Sequence, residues 1–269
     1  SGGLVGSEMC IRDRNNVEPI ILDTREEQSS ELIEEAKSKG IDIRFSHGVI
    51  VANGYKKVKS AKIGKLNKDK TGFEKIETID CDCICVSGFW TPTVHLSSQS
   101  GNKLKYEDKI DAFIPDKSKQ QETTLGAANG TFTLQETLET SFNTSSDISS
   151  KITEEKTEIS IPNVTEKKYG SHDKFWCMPL PKNENPKRFV DFQNDVAVSD
   201  IEIALREGYR SIEHVKRYTT LGMATDQGRT SNLNGLQLVS NIENKIVPEV
   251  GHTTFRPPFT PITIGTIVG

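Results

Sequence analysis

Between Pro19 and Phe45 the hydrophobic period changes twice, and this change constrains the fold more than any other feature. Ile20-Ile21-Leu22 is a short apolar run ending in Asp23, the pattern of a buried strand. Leu32, Ile33 and Ala36 then recur at helical spacing up to a stop at Gly40, and Ile41, Ile43 and Phe45 alternate as a second strand. Strand, helix, strand predicts a parallel pair with a right-handed crossover, hence an α/β domain. Thr24 followed by Glu27 fits a capping box and predicts a helix that starts directly after Asp23.

Three short β-like runs follow, Val49 to Ala52, Val58 to Leu66 and Phe73 to Thr78. They are separated by Asn53-Gly54 and by the polar run 67–72, which predicts a meander. Cys81 to Val86 reads as a return to the sheet, with Cys81, Cys83 and Cys85 on one face. Three neighbouring positions on a rigid strand cannot surround a metal tetrahedrally, so they are read as packing residues. Ser87-Gly88 then falls at a strand's carboxyl end, where ligands bind in open α/β sheets.

Residues 138–172 are rich in Ser, Thr, Glu and Lys and are read as a polar linker. Beyond them, Ser199 with Glu202 predicts a capped helix ending at Gly208. Ser211 predicts the start of a second helix stopping at Gly222, and a third spans about Asn232 to Asn241. The proline-rich end, HTTFRPPFTPITIG, is expected to be extended. The resulting division is 15–137, an incomplete α/β domain; 138–172, a linker; 173–248, a small helical domain; and 249–269, a strap. Residues 1–14, SGGLVGSEMCIRDR, resemble translated adapter sequence at the ends of environmental gene reads and are set aside, with earlier chain expected to be missing.

Composition excludes several classes. A net charge of −4 from 34 basic and 38 acidic side chains gives no footprint for nucleic acid. The longest apolar run is far short of a membrane span, so no membrane partner is expected. Five cysteines, an odd number, do not make a secreted disulfide framework, and a cytoplasmic location is expected. His95, His172, His214 and His252 lack metal-site spacing, so no zinc site is predicted.

Three segments coincide with one family. They are CDCICVSGFWTPTVHLSSQSG at 81–101, GAANGTF at 126–132, and FVDFQNDV, EHVKRYTTLGMATDQGRTSN and TTFRPPFTPITIG between 189 and 265. The chain resembles the large α subunit of heterotetrameric sarcosine oxidase. The resemblance implies a partial two-dinucleotide (FAD/NAD-type) Rossmann-like domain with a β-meander. A small helical domain would follow, similar to BFD-like 2Fe-2S units, and then a strap to a folate-binding domain lying outside this chain. The matching cluster positions read Asp191, Gln193, Asp226 and Ser231, so no iron–sulfur cluster is expected. If that fold is shared, these four should converge, with backbone donors or Lys216, Arg217 and Arg229 near the acids.

The resemblance also implies cofactors and partners: NAD at an incomplete site, FAD and FMN in a partner subunit or at an interface, tetrahydrofolate as one-carbon acceptor, and β, γ and δ subunits. Ser87, Gly88, Gly126, Ala127, Ala128 and Asn129 are the candidate dinucleotide contacts, the last four leading into a helix whose N-terminus favours phosphate. Asp23, at a strand end, is a candidate for ribose hydroxyls, with a helix N-terminal acid as the plainer reading. Lys216, Arg217 and Arg229 beside hydroxyl-rich turns are candidates for a flavin phosphate, or solvated cations at a helix end. No nucleophile, base and orienting group are visible together, so catalytic residues are expected elsewhere. The implied activity is oxidative demethylation of sarcosine to glycine with hydrogen peroxide formation. An opine- or proline-type amine dehydrogenase subunit and a non-catalytic assembly module are the alternatives.

Overall fold

Ile20–Asp23 (β1) and Asp42–Phe45 (β2) pair in parallel, Ile20 opposite Asp42 and Asp23 opposite Phe45. The helix between them is Glu31–Ser38 (α1), which buries Ile33 and Ala36. It starts later than Thr24 and Glu27 predicted. Ser30 is the residue that caps it, its hydroxyl accepting from the Ile33 N–H at 3.4 Å. Gly40 ends it as expected, with φ +70° and the Ile41 N–H returning to the Ala36 carbonyl at 3.1 Å. This computed structural model describes residues 17–88, 90–153, 160–165, 173–257, 260 and 262–268. The readings made at 1–14 and at His172 lie outside them.

The meander is present as His47–Gly54 (β3), Val58–Leu66 (β4) and Phe73–Asp80 (β5), paired antiparallel in that order, with Ala61, Ile63 and Leu66 of β4 buried. The strand expected at Cys81 to Val86 does not form. The Cys81 N–H makes a last bond to the Lys59 carbonyl at 3.1 Å, and residues 82–88 have no ladder partner among the described residues. Cys83 and Cys85 are exposed, their sulfurs 3.8 Å apart, rather than packed inside. Ser87 and Gly88 therefore end an irregular segment and not a strand.

The chain divides into two units, one of residues 1–89 with 167–187 and the other of 90–166 with 188–269. This replaces the expected break at residue 137. The second unit opens with a short helix, His95–Gln99 (α2), and a hairpin of Leu104–Glu107 (β6) and Ala112–Pro115 (β7). Gly126–Asn129 forms a single 3-10 turn.

Residues 138–153, about half of the expected linker, belong to the helix Leu134–Thr153 (α3). Thr133 and Glu136 cap it reciprocally: the Thr133 hydroxyl donates to Glu136 Oε2 at 2.7 Å and accepts from the Glu136 N–H at 3.4 Å. Thr137 and Thr140 return their hydroxyls to carbonyls four residues back, at 2.7 and 2.8 Å, so the polar side chains that suggested a linker are satisfied on the helix itself. Leu134, Leu138 and Phe142 recur at i, i+4, the helical signal that the Ser/Thr content masked.

Phe189–Asp191 (β8) and Val196–Ala197 (β9) make a small hairpin leading into Val198–Arg206 (α4), Ile212–Thr219 (α5), Asn232–Glu243 (α6) and Val247–Val250 (α7). Ile201, Leu205, Val215, Leu221, Leu236 and Val239 form the buried interior of this bundle. The expected boundaries of α4 to α6 hold to within two or three residues, but the cap of α4 differs. Asp200, not the Ser199–Glu202 pair, accepts the Ala197 N–H, at 2.8 Å. Residues 251–256 run without regular structure, and Ile264–Val268 (α8) adds a short turn of helix inside the segment expected to be wholly extended.

Candidate functional site

The β8–β9 turn and the loop 220–231 meet around one carboxylate. Asp191 is 2% exposed. Its Oδ1 accepts the backbone N–H groups of Gln193 (2.9 Å) and Asn194 (3.3 Å). Its Oδ2 accepts the Gly222 N–H (2.8 Å) and the Ser231 hydroxyl (3.3 Å). These donors replace the water that a buried carboxylate loses. Of the four positions expected to converge, Asp191 and Ser231 touch. Gln193 reaches the same loop by accepting from the Thr225 hydroxyl at 3.0 Å. Asp226 instead ties its own turn, taking the Gly228 N–H and the Thr230 hydroxyl, each at 3.0 Å.

The loop is threaded by Asn232. Gly222 and Gly228 have φ of +66° and +74°, and a Cβ added to either would lie 2.0 or 2.1 Å from Asn232 Oδ1. No side chain fits there, so glycine is required for both conformation and space. The Asn232 Nδ2 donates to the Gln227 carbonyl at 3.3 Å.

Beside this loop is a cavity of about 50 Å³ lined by His95, Leu104, Phe113, Asn232, Thr253 and Phe255, among others. His95 is 3% exposed, its Nε2 is 3.2 Å from the Gln227 carbonyl, and its ring lies 4.0 Å from that of Phe255, centre to centre. Burial lowers the His95 pKa, with Arg229 pushing the same way, while the Gln227 carbonyl and Asp226 oppose them. A carbonyl can only accept, so the geometry assigns the hydrogen to Nε2. Among the described residues, Asn232 Oδ1 and Thr253 Oγ1 are buried without a hydrogen-bond partner. The Thr253 hydroxyl, on a wall that also carries His95, His252 and Arg229, suits a small polar guest better than a void does.

The sites expected from the sequence are distributed as follows. Asp23 is gripped by Arg25 through Nε (2.9 Å to Oδ1, 3.1 Å to Oδ2), Nη2 (2.6 Å) and the backbone N–H (2.9 Å). Burial would raise its pKa, but the Arg25 bonds outweigh it and hold the carboxyl below the usual range. Ser87 and Gly88 are exposed, and a Cβ at Gly88 would meet nothing within 4 Å. Gly126 is buried at φ +65°, where a Cβ would meet Thr137 Cγ2 at 3.2 Å, so its smallness serves packing. Ala127, Ala128 and Asn129 do not open a helix, because α3 begins five residues later with Thr133 and Glu136 occupying its N-terminus.

Lys216 is 8% exposed, and its ammonium donates to the Thr254 carbonyl at 3.1 Å. Burial lowers its pKa; Glu213 opposes this, and Arg256 and Arg217 add to it. Arg217 and Arg229 are exposed. Sequence reasoning passed over Asn232, Thr253 and Glu213 and treated His95 as a lone histidine. The signal available was the pair Gly222 and Gly228 bracketing a turn, which marks a close approach. Among the described residues, no group of three or more His, Cys, Asp or Glu side chains is placed to hold a metal ion.

Comparison with known proteins places this geometry. Residues 185–269 match the sarcosine oxidase A3 domain. The sarcosine oxidase α subunit of Rhizobium meliloti (strain 1021) is 35% identical over 196 residues, covering 72% of this chain and 20% of its own length. That of Corynebacterium sp. (strain P-1) is 30% identical over 245 residues, covering 87% and 25%. The L-proline dehydrogenase of P. horikoshii has a similar fold, with TM-score 0.54 and 17% identity over 95% of this chain and 51% of that one. The chain thus spans about a fifth to a quarter of the length of the curated relatives it matches. With its last 85 residues forming an A3 domain and sequence identity running back across the first unit, the chain belongs to the sarcosine oxidase α-subunit family.

Proposed function

We propose that this chain is a segment of the α subunit of a flavin-dependent oxidoreductase complex that demethylates sarcosine to glycine, with hydrogen peroxide as a product and tetrahydrofolate as one-carbon acceptor. The observation that carries this reading is the A3 match over residues 185–269, which contain the Asp191 shell and the loop 220–231. The α subunit would assemble with β, γ and δ subunits in the cytoplasm. Among the described residues no helix is long and apolar enough to cross a membrane.

A bound flavin would supply the hydride acceptor for the amine substrate. This chain's share is to position. Arg217 and Arg229 are exposed beside the hydroxyl-bearing loop and fit a flavin phosphate, whereas the Lys216 ammonium is already occupied by Thr254 and contributes charge at one remove. The NAD reading moves onto Ser87 and Gly88, whose backbone is open to approach, because Asp23 is taken by Arg25 and Gly126 by packing. Oxygen and amide groups at Asp191, Gln193, Asp226 and Ser231 do not fit an iron–sulfur cluster, which takes thiolates.

The test is co-expression of the full-length α subunit with its neighbouring subunits, followed by flavin, NAD and iron analysis and sarcosine-dependent oxygen uptake. Sarcosine turnover with bound flavin and without iron supports the proposal. Turnover of proline or an opine instead of sarcosine favours the amine-dehydrogenase reading, whose support is the shared fold with L-proline dehydrogenase. A complex that assembles without flavin or turnover leaves an assembly module.

A further inference from the structure

One peptide unit on the strap is held at both of its polar groups by one helix. The Thr254 N–H donates to Glu213 Oε1 at 2.6 Å, and its carbonyl accepts from Lys216 Nζ at 3.1 Å. Glu213 and Lys216 are three residues apart on α5 and so stand on one face of it. The neighbours of Thr254 cover the cavity. Thr253 is 2% exposed, Phe255 lies on His95, and the His252 ring meets Phe113 at 5.5 Å, centre to centre.

Two features set this arrangement apart from ordinary packing. A buried ammonium is an unfavourable way to fill space, and here its recorded hydrogen bond goes to a neutral main-chain carbonyl, so what it secures is position. On the strap itself, the Thr253 hydroxyl lines the cavity and is buried without a partner among the described residues, which a sealed interior rarely tolerates. We propose that Glu213 and Lys216 are positioning residues that latch residues 252–256 as a lid over the His95 cavity, and that release of this latch admits small molecules to it. The proposal goes beyond the flavin reading and does not depend on it.

The test uses the full-length α subunit and two readouts, amide hydrogen exchange over residues 251–256 and carbethoxylation of His95 by diethyl pyrocarbonate, with exposed His214 as the internal reference. Glu213→Ala should accelerate both by roughly tenfold, the scale of one charge-assisted hydrogen bond. Glu213→Gln keeps an oxygen for the Thr254 N–H and should restore near-parental rates. Lys216→Met should behave as Glu213→Ala; if it does not fold, the Glu213 pair still decides the question. Unchanged rates in Glu213→Ala, a Glu213→Gln variant no better than Ala, or acceleration spread evenly over α4 to α6 would each overturn the latch.

Discussion

The Ser231 hydroxyl donates to the Asp191 carboxylate from forty residues away, and three backbone N–H groups complete the shell of that acid. Asp191 is therefore the joint between the β8–β9 turn and the loop 220–231. Asp191→Ala leaves these buried donors unpaired and should destabilise the chain by about 3 kcal/mol, with Asp191→Asn losing less. Urea unfolding of the two variants against the parent checks the order.

Gly228 and Asn232 offer a second test. Gly228→Ala brings a methyl into the Asn232 amide and also imposes a positive φ on a residue that resists it. The expected loss is about 3 kcal/mol or more in the parent, falling to about 1 kcal/mol when Asn232→Ala has already cleared the space. A double-mutant cycle by thermal or urea unfolding separates the two parts, and simple additivity would show that the clash does not matter.

The Asp23–Arg25 fork predicts an acid-sensitive first unit. Because the folded carboxyl titrates below its unfolded value of about 3.9, it contributes stability that is present above that value. The contribution is lost as pH falls through the lower, folded pKa. Arg25→Met should lower stability at pH 7 and flatten the dependence below pH about 4, as read from unfolding curves across pH 2 to 7.

His95 acts in a different window. Its folded pKa is lowered, so the unfolded chain binds the proton more readily. Stability should then decline as pH falls below about 6.5, the ordinary value for histidine. His95→Gln removes the titrating group, and its melting temperature should change less between pH 7.5 and 5.5 than that of the parent.

Much of the fold could be read along the chain wherever one period dominates. The strands β1 and β2, the meander and helices α4 to α6 fall close to where the sequence put them, because apolar residues there repeat at a single spacing. The reading failed where local chemistry had two solutions. Thr24 could cap, but Ser30 stood directly before the apolar stripe and did so; Cys81 to Val86 alternates like a strand, but alternation does not supply a neighbouring strand to pair with. In α3 the threonines bond back to their own helix, an outcome that composition alone cannot distinguish from a solvated linker. The candidate site was legible only in its charges. The Asp191 shell and the Thr254 clasp join residues up to 41 positions apart, which no local pattern encodes, while the glycine pair around the Asn232 amide left only a turn signal.

The grip of Glu213 and Lys216 has a consequence for inheritance. Both side chains read main-chain atoms, so the identity of residue 254 carries no information for them, and its side chain points where it is exposed. Position 254 can drift through nearly the whole amino-acid alphabet while the attachment persists. Proline, which has no amide hydrogen to offer Glu213, would be refused. The constraint falls instead on positions 213 and 216, one of which must keep an acceptor and the other a donor for that single peptide unit.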